Sequence, residues 1–573
     1  MAKFVNVVSG QLTALSKPER PFSAWERLEG MVPTSEGLIP FEAVLDPIGP
    51  IYTDTTQTDI TYAGRYGFAY ARGTNWNFFF IRDRAIQNNV PARILTTTGG
   101  PFVDPPHSQT FAPTPPSTLL RFNYLGTVYT MKPGDAQKVR MWDHGSYVWL
   151  RGYDNRYWAV GNEPNVPDRG YFWCHFAPGD VPAPASAWFV KDANTNAYIP
   201  AGRTLLLLDE YALMVSPETD TATSGGLYAG RRWNRVYWTH PGTFDVWYPD
   251  TANVPPKQFA GWLELNAPHP YITAFTFNGS AFVVAPTRIA RLDKVGGEIG
   301  FSQKTYDLDF HSLEVESVDN AVATPHGVFM LTYDGLYMFN GVSIAPALPE
   351  AEDLFSLGWF EDTLNYSPDW ASIRGVHVPV LDCIIWFVQS TTSGPTLLVI
   401  YNYEMQAASW VQAPANEYWF PLGGPTPGLC RSTWSATSAN VTVYPFRFHP
   451  RANIIPTSVP QIGRSMTTGY LADVDGATNI HVRRVFFHGD WTYTQNGQLT
   501  VEGFWEDLAT PVQTQTITLS PADFARGFID VRTRGRYVRL TLTPAATDTP
   551  PAGVWSKRLR GLSVDAVTGG LRR

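Results

Sequence analysis

The stretch VATPHGVFMLTYDGLYMFNGVSI, from Val322 to Ile344, carries the pattern that decides the fold. Two short apolar runs are separated by Thr-Tyr-Asp-Gly, and an Asn-Gly pair follows the second run. Such pairs between apolar runs are typical of tight hairpin turns. The stretch therefore predicts a β-hairpin with a turn at Asp334 and Gly335 and a second turn at Asn340 and Gly341.

Similar aliphatic and aromatic runs recur on both sides of this hairpin. One aromatic residue marks each unit, at Tyr237, Phe282, Phe329 and Trp386, and the intervals are 45, 47 and 57 residues. A four-stranded propeller blade occupies about 40–50 residues. The first two intervals fit this length and the third allows one insertion, so the repeat favours a β-propeller over the alternative of a stacked β-sandwich.

The composition of the 573-residue chain indicates an all-β protein. Aromatic residues make up 14% and charged residues 16%, and flat or branched side chains pack well on a pleated sheet. The 47 glycines and 47 prolines supply turns between short strands. Because single cores stop growing near ~250–300 residues, we expect several domains or one large all-β body with an appendage.

Changes of pattern along the chain divide it into three predicted parts. Residues 1–45 alternate little and are predicted to form an extended N-terminal arm that can join a C-terminal platform. Residues 46–460 are predicted to form the β-propeller, with Pro-rich insertions at about 99–117 and 177–188. Residues 461–573 alternate regularly, which predicts an antiparallel β-sandwich or platform.

Charge is distributed unevenly between these parts. The formal net charge of the chain is -8, which gives no general reason to expect tight nucleic-acid binding. Residues 481–573 hold 12 Lys and Arg against 8 Asp and Glu, a net charge of +4. The preceding 480 residues therefore carry -12.

The segment RTRGRYVRLTL, from Arg532 to Leu542, concentrates this positive charge. In one unbroken strand its arginines would share a face with Val538 and Leu540, so we expect Gly535 to interrupt the strand and reset the alternation. The basic side chains then face DNA phosphates, an acidic protein partner, or solvent alone. The candidates for a partner- or DNA-facing surface are Arg532, Arg534, Arg536, Arg539, Lys557, Arg558 and Arg560.

The sequence offers little that resembles a catalytic site. GNEP, at residues 161–164, presents Glu163 in the way many retaining glycosidases present an acid/base carboxylate. Such an enzyme needs a second carboxylate ~5 Å away, and the glycosidases in question use a helix-wrapped barrel for which this chain lacks helices. A surface turn is therefore the preferred interpretation of Glu163. We predict no catalytic, cofactor-binding or metal-binding residues and no enzymatic activity.

Compartment signals are equally sparse. Cys174, Cys383 and Cys430 are widely spaced and odd in number, which favours synthesis in a reducing compartment. The first residues lack a continuous apolar segment, and no run approaches the ~20 apolar residues of a membrane span. These patterns predict a soluble protein.

Four segments resemble the nozzle, or tail-hub, proteins of short-tailed bacteriophages, also called packaged-DNA stabilisation proteins. They are NRVYWTHPGTFDVWYP at 234–249, the strands VVAPTRI and GVFMLTYDGLYMFNG, and the ending GRYVRLTL with the closing GLRR. The resemblance covers roughly residues 200–350 and 480–573. The Pro-rich region before residue 200 matches nothing in it.

This resemblance implies a structural virion protein that is made in the host cytoplasm and resides in the phage tail. Six copies would form a ring below the portal and its adaptor, a conduit that retains packaged double-stranded DNA and passes it during ejection. Its partners would be other copies of the chain, the adaptor or head-to-tail connector, and tail fibre or tailspike proteins. No cofactor is implied, and segment 99–117 is the candidate constriction or contact loop.

Two alternatives remain open at this point. RYVRLTL followed by GLSVDAV is similar to discoidin-like sandwiches, and aromatic-rich propellers include lectins, so a carbohydrate-binding module for host-surface recognition is the main alternative. A glycan-cleaving enzyme that uses Glu163 is the other.

Overall fold

A computed structural model of the chain describes backbone strands from residue 2 onward. Side chains are described within residues 25–47, 206–215, 234–266, 273–306, 320–449, 462–489, 497–543 and 559–567, with gaps inside several of these ranges. Strands account for most of the described residues, so the all-β prediction is confirmed. Over the same residues, no helix has the length and apolar character that crossing a bilayer requires.

The described strands of the first 217 residues are short and mostly antiparallel. They are β1 (Ala2–Val8), β2 (Trp25–Glu29), β3 (Met31–Thr34), β4 (Gly37–Pro40), β5 (Leu45–Pro47), β6 (Tyr52–Asp54), β7 (Gly64–Arg72), β8 (Asn75–Arg82), β9 (Arg93–Thr98), β10 (Leu120–Tyr124), β11 (Thr127–Met131), β12 (Arg140–Trp142), β13 (Gly145–Arg151), β14 (Tyr157–Asn162), β15 (Tyr171–Phe176), β16 (Ala201–Leu208) and β17 (Tyr211–Pro217). A 3-10 turn, Phe41–Val44, joins β4 to β5.

The middle of the chain continues the same pattern. Its strands are β18 (Arg235–Trp238), β19 (Gly261–Glu264), β20 (Thr273–Phe277), β21 (Ser280–Ala285), β22 (Arg288–Lys294), β23 (Phe301–Asp307), β24 (Val322–Thr324), β25 (Gly327–Thr332), β26 (Gly335–Phe339), β27 (Ile344–Pro346), β28 (Pro368–Val378), β29 (Cys383–Ser390), β30 (Leu397–Asn402), β31 (Ala407–Gln412), β32 (Glu417–Gly423), β33 (Gly428–Ser435) and β34 (Asn440–Phe448). Short helical segments, Trp359–Thr363 with π-helix geometry and Pro379–Leu381 with 3-10 geometry, lie between them.

The last part of the chain contains strands and one short α-helix. They are β35 (Ser465–Thr468), β36 (Leu471–Ala472), β37 (Asn479–Gly489), β38 (Gly497–Phe504), β39 (Gln513–Leu519), α1 (Pro521–Arg526), β40 (Phe528–Gly535), β41 (Tyr537–Thr543) and β42 (Leu559–Gly569).

The hairpin of the opening stretch is part of a four-stranded antiparallel sheet, β24 to β27. Thr332 pairs with Gly335, so the loop residues are Tyr333 and Asp334, one position earlier than the predicted turn. Gly335 begins β26 with φ 123°, and the Thr332 hydroxyl accepts the N–H of Asp334 at 3.2 Å. The turn moves because the positive φ that glycine permits is needed where the strand resumes.

The second turn of this stretch lies where the Asn-Gly pair places it. The side-chain oxygen of Asn340 accepts the N–H groups of Val342 and Ser343, each at 2.9 Å. Gly341 has φ 101°. An asparagine side chain that mimics a backbone acceptor, followed by a residue free to take positive φ, reverses the chain into β27.

Successive four-stranded meanders follow one another along the chain. In chain order they are β16 to β19, β20 to β23, β24 to β27 and β28 to β31, and the sheet with β32, β33 and β34 comes next. The first strand of each meander lies beside the first strand of the next, from β16 through β20, β24 and β28 to β32. The sheets are therefore stacked face to face along these five strands. β16 also pairs with β15, in one sheet that runs from β12 to β19, and β32 also pairs with β7, so these two are not edge strands.

The second strands of the sheets, such as β21 and β25, are buried on both faces. Along β21, Ala281 and Val283 pack towards β16 to β19, whereas Phe282 and Val284 pack towards β25. Phe329 on β25 is directed the other way and packs towards β29 and β30. Burial on both faces explains why these strands are continuous apolar runs with no polar alternation.

The four aromatic markers do not occupy equivalent positions. Phe282, Phe329 and Trp386 lie on the second strand of their meanders, but Tyr237 lies on β18, the third strand of the meander β16 to β19. The interval of 45 residues therefore compares different strands, and the repeat is less regular than the sequence predicts. All four side chains are buried, which is the property that made them stand out.

The C-terminal strands form two packed sheets. One has the order β3-β4-β42-β37-β40, with β1 also paired to β42. The other contains β2, β35, β41, β38 and β39, and it continues through β31 into β28 to β30. Val485 and Val564 of the first sheet and Leu540 and Leu542 of the second belong to one buried cluster. The N-terminal strand β2 joins the two regions, because it pairs with β31 on one side and β35 on the other.

The chain crosses from one of these sheets to the other at Gly535 and Arg536. β40 ends at Gly535 in the first sheet, and β41 begins at Tyr537 in the second. Val531 is buried before the break and Val538 after it. In one unbroken strand two residues seven positions apart would face opposite sides, so the break resets the alternation, as predicted from the sequence. A Cβ on Gly535 would lie 2.6 Å from the backbone nitrogen of Phe504, so only glycine fits without movement.

Candidate binding site on the C-terminal sandwich

The predicted basic residues lie at different places on the two packed C-terminal sheets, which are called the C-terminal sandwich below. Arg532 and Arg534 are exposed on β40, Arg536 is in the crossing turn, and Arg539 is half-buried on β41. Arg560 lies in β42, but its side chain is outside the described residues. Lys557 and Arg558 are also outside the described residues, as are Glu163 and the Pro-rich segments 99–117 and 177–188.

Two of the arginines are occupied by carboxylates. Arg536 Nη1 lies 2.8 Å from an oxygen of Glu506. Arg539 donates from Nε at 3.0 Å and from Nη2 at 2.8 Å to Glu502, and its guanidinium lies over the ring of Phe504. The Arg539 guanidinium, which is held by a carboxylate and an aromatic ring, is not available to a partner. Arg539 therefore has a structural role in the sandwich, whereas Arg536 forms one ion pair with an exposed glutamate at the surface.

The other two arginines lie beside a cavity of about 510 Å³. Arg532 and Arg534 form no ion pair with any described residue, and His481 and Arg483 line the same cavity. No aspartate or glutamate is among the described residues that line it. We call this site, defined by His481, Arg483, Arg532 and Arg534, the cationic cavity.

Two glutamine side chains hold the strand that carries Arg532 and Arg534. β40 is the outermost strand of its sheet, so its free backbone groups face the neighbouring strand β39. The side-chain oxygens of Gln515 and Gln513 accept the N–H groups of Arg532 at 2.7 Å and Arg534 at 3.1 Å. Gln513 also donates to the carbonyl of Arg532 at 2.9 Å. These bonds close an exposed sheet edge and leave the guanidinium groups directed outward.

A bulge in β37 supplies the remaining two basic groups. His481 is the direct partner of Arg534, and the register then shifts between Val482 and Arg484 against both β40 and β42. Arg483 lies in this bulge and is exposed. Bulges commonly redirect a side chain. No local pattern in the sequence points to His481 or Arg483, because only strand pairing brings them close to Arg534.

The cavity combines positive charge with exposed apolar surface. Trp505 is 37% exposed and Val512 is 52% exposed, and both line the cavity. Guanidinium groups bind carboxylates and phosphates through two parallel hydrogen bonds. Aromatic and arginine side chains are also the residues that dominate binding energy in protein interfaces. The arrangement suits an acidic segment that carries an apolar residue.

The described residues contain little that supports covalent or metal chemistry. No group of three or more potential metal ligands occurs among them. Complete burial raises the pKa of the Cys383 and Cys430 thiols, which keeps both protonated and unreactive. Cys174 belongs to β15, and its side chain is outside the described residues.

Comparisons with known proteins identify no family. No protein-family model and no curated protein matches the chain. An exo-β-1,3-galactanase from Phanerochaete chrysosporium aligns over 91% of this chain and 100% of its own, with 9% identity and a TM-score of 0.19. The subtype N11 neuraminidase-like protein of A/flat-faced bat/Peru (H18N11) aligns over 74% of this chain and 97% of its own, with 10% identity and a TM-score of 0.25.

A protein of unknown function from Dyadobacter fermentans gives a similar result. It aligns over 71% of this chain and 100% of its own, with 8% identity and a TM-score of 0.25. At these TM-scores the similarities carry no argument about fold or function, so the proposals below rest on the chain itself.

Proposed function

We propose that the chain is a structural, non-catalytic component of a bacteriophage tail, a nozzle protein that forms a ring-shaped conduit for DNA. The stacked meanders are blades of a β-propeller, and the C-terminal sandwich is a platform that contacts neighbouring tail proteins. The expected assembly is a homohexamer below the portal and adaptor. It retains packaged DNA and passes it during ejection.

The observation that carries this proposal is the continuous sheet that joins the stacked meanders to the sandwich. Among the described strands, β28 to β31 continue through β2 into β35, β41, β38 and β39. Trp25 and Leu28 on β2 are buried in the same cluster as residues of both regions. β2 and β31 share one ladder pair, Glu29 with Trp410, so the shared core supplies most of the resistance to hinge motion between the two regions. This stiffness suits a wall element that must keep its shape while DNA passes.

Charge supports the same role. Residues 1–480 carry a net charge of -12, and an acidic lumen repels DNA, whereas adhesion requires Lys and Arg to neutralise phosphates. The cationic cavity lies on the C-terminal sandwich, where it can receive an acidic segment of the adaptor or of a fibre protein. Electrostatic complementarity of this kind sets the orientation and the rate of docking.

Cryo-EM of purified particles tests the proposal directly. We expect density for this chain as a ring on the tail axis, with the platform against a neighbouring protein. Complete tails that contain no copy of this chain would refute the proposal.

A complementation assay tests the cationic cavity within that assembly. Arg532→Ala with Arg534→Ala removes two charges that form no ion pair with a described residue, and Arg526→Ala with Arg536→Ala removes two paired charges from the same sandwich. We expect the first pair to reduce incorporation into particles at least ~10-fold and the second to leave it near the parent level. Equal incorporation of both double variants would exclude the cavity as the docking site.

A further inference from the structure

A second cavity lies between the stacked meanders and the sandwich, away from the cationic cavity. It is an open cleft of about 830 Å³ between residues 353–364 and the face of β2, β35, β38 and β41. Nothing in the proposed conduit function uses it. We name it the Trp359 cleft after the aromatic residue on its wall.

One wall of the cleft has an unusual backbone. Phe355 is fully buried with φ 64°, Trp359–Thr363 has π-helix geometry, and Asn365 has φ 49°. A positive φ is rare for a bulky residue, and π-helical turns occur often at functional sites. Such conformations persist only where the surrounding structure enforces them.

Buried aromatic rings enforce this backbone. Phe355 packs edge-on against Trp359, with 4.8 Å between ring centroids, and Phe360 packs edge-on against Trp370 at 5.8 Å. Trp359 also makes an edge contact with the buried Trp410 at 5.2 Å. Trp359 therefore has a fixed orientation and remains half-buried at the cleft. A rigid indole offers contact area at little cost in conformational entropy.

The opposite wall presents hydroxyl groups in a row. Thr541 pairs across the sheet with Thr467 on one side and Thr500 on the other. The hydroxyls of Thr467 and Thr541 are 3.2 Å apart. Each threonine hydroxyl can both donate and accept a hydrogen bond. Thr467 is buried and its hydroxyl bonds to that of Thr541, so the half-buried Thr500 and Thr541 are the ones that offer hydroxyl groups to a ligand.

The charges of the cleft select against anions. Arg539 is paired with Glu502, and Arg27 is paired with Glu29 at 2.5 Å. Asp353 and Asp362 are exposed, line the cleft, and form no ion pair with the described residues. The cleft therefore carries an excess of carboxylate acceptors.

We infer that the Trp359 cleft binds a neutral oligosaccharide. The indole of Trp359 packs against the C–H face of a sugar ring, the threonine row exchanges hydrogen bonds with ring hydroxyls, and Asp362 accepts a charge-assisted hydrogen bond from one of them. This inference is independent of the proposed nozzle role, since it concerns a different surface and a different ligand.

Isothermal titration calorimetry of the full chain with maltohexaose, cellohexaose and chitohexaose tests the inference. We expect saturable binding of at least one of these neutral hexasaccharides at concentrations below ~10 mM. Trp359→Ala should weaken binding at least ~10-fold, and the nearly isosteric Asp362→Asn should weaken it ~5-fold. Asp362→Asn changes an exposed side chain, so it separates loss of binding from loss of folding.

Trp505→Ala is the matched control, because Trp505 is a partly exposed tryptophan that lines the cationic cavity. It should leave saccharide affinity unchanged. Absence of binding by all three hexasaccharides, or equal losses in Trp359→Ala and Trp505→Ala, would overturn the inference. Neither outcome affects the particle assays, which report on the nozzle role separately.

Discussion

Gly503, on β38, lies where the two sheets of the sandwich come into backbone contact. A Cβ at this position would lie 2.1 Å from the carbonyl oxygen of Arg534 and 3.3 Å from the Thr533 methyl group. Ordinary van der Waals contact begins near 3.4 Å, so the two strands would have to separate by roughly 1.3 Å. Arg534 lines the cationic cavity, and the separation would displace it.

Gly503→Ala should therefore destabilise the sandwich by about 3 kcal/mol, the upper part of the usual range for overpacking, because backbone atoms cannot rotate away. Gly279→Ala is the control: its Cβ meets nothing within 4 Å, but its φ is 73°. Backbone strain alone should cost that variant about 1 kcal/mol. The pair separates a steric cost from a conformational one.

The measurement is urea unfolding of the full chain, followed by tryptophan fluorescence and by circular dichroism. The free energy of the first cooperative transition should fall more for Gly503→Ala than for Gly279→Ala, by about 2 kcal/mol. If the two variants unfold at the same urea concentration, the close approach of β38 and β40 is not present in solution. The explanation of the Gly503 position would then be wrong.

Two further predictions concern the core and a helix cap. The side chain of Phe329 is 1% exposed and contacts Tyr401 between adjacent sheets, so Phe329→Ala should lower the free energy of urea unfolding by about 3–5 kcal/mol. Val342→Ala is the control, because its side chain is 69% exposed and its loss should change stability by less than ~0.5 kcal/mol. Similar values for both variants would contradict the stacked arrangement. Hydrogen bonds from the Ser520 side chain and backbone lower the pKa of Asp523, so the stabilisation of α1 is present above the unfolded pKa of ~3.9 and is lost as pH falls through the folded value. Amide exchange of α1 in Asp523→Asn and the parent should differ at pH 7 and converge in acid; a constant difference would rule out the cap.

Local chemistry explains what could be predicted about the strands. Asn340 and Gly341 form their turn because the asparagine side chain bonds to the backbone two and three residues later. The apolar positions before Gly535 are odd-numbered and those after it are even-numbered, and this change in the sequence indicates that the strand is interrupted there. Both signals depend on residues close together in the chain. The loop lies at Tyr333 and Asp334, one residue before the predicted turn, because Gly335 supplies the positive φ at which β26 begins.

The candidate site was predicted only in part. The sequence indicated a basic surface at Arg532 and Arg534, but it could not distinguish them from Arg536 and Arg539. The carboxylates that occupy those two, Glu506 and Glu502, are 30 and 37 residues away in the chain. Strand pairing and sheet packing decide which arginines are neutralised by carboxylates. The spacing of residues along the chain does not predict these pairs.

The sequence by itself determined that the chain folds into strands, where several of them turn, and which segment is basic. These properties follow from side-chain shape, turn chemistry and charge, which act over a few residues. The tertiary structure decided which strands are neighbours: β2 lies between β31 and β35, and His481 lies opposite Arg534. Backbone hydrogen bonds are the same for every pair of strands, so the choice of partner depends on which arrangement buries the apolar faces together.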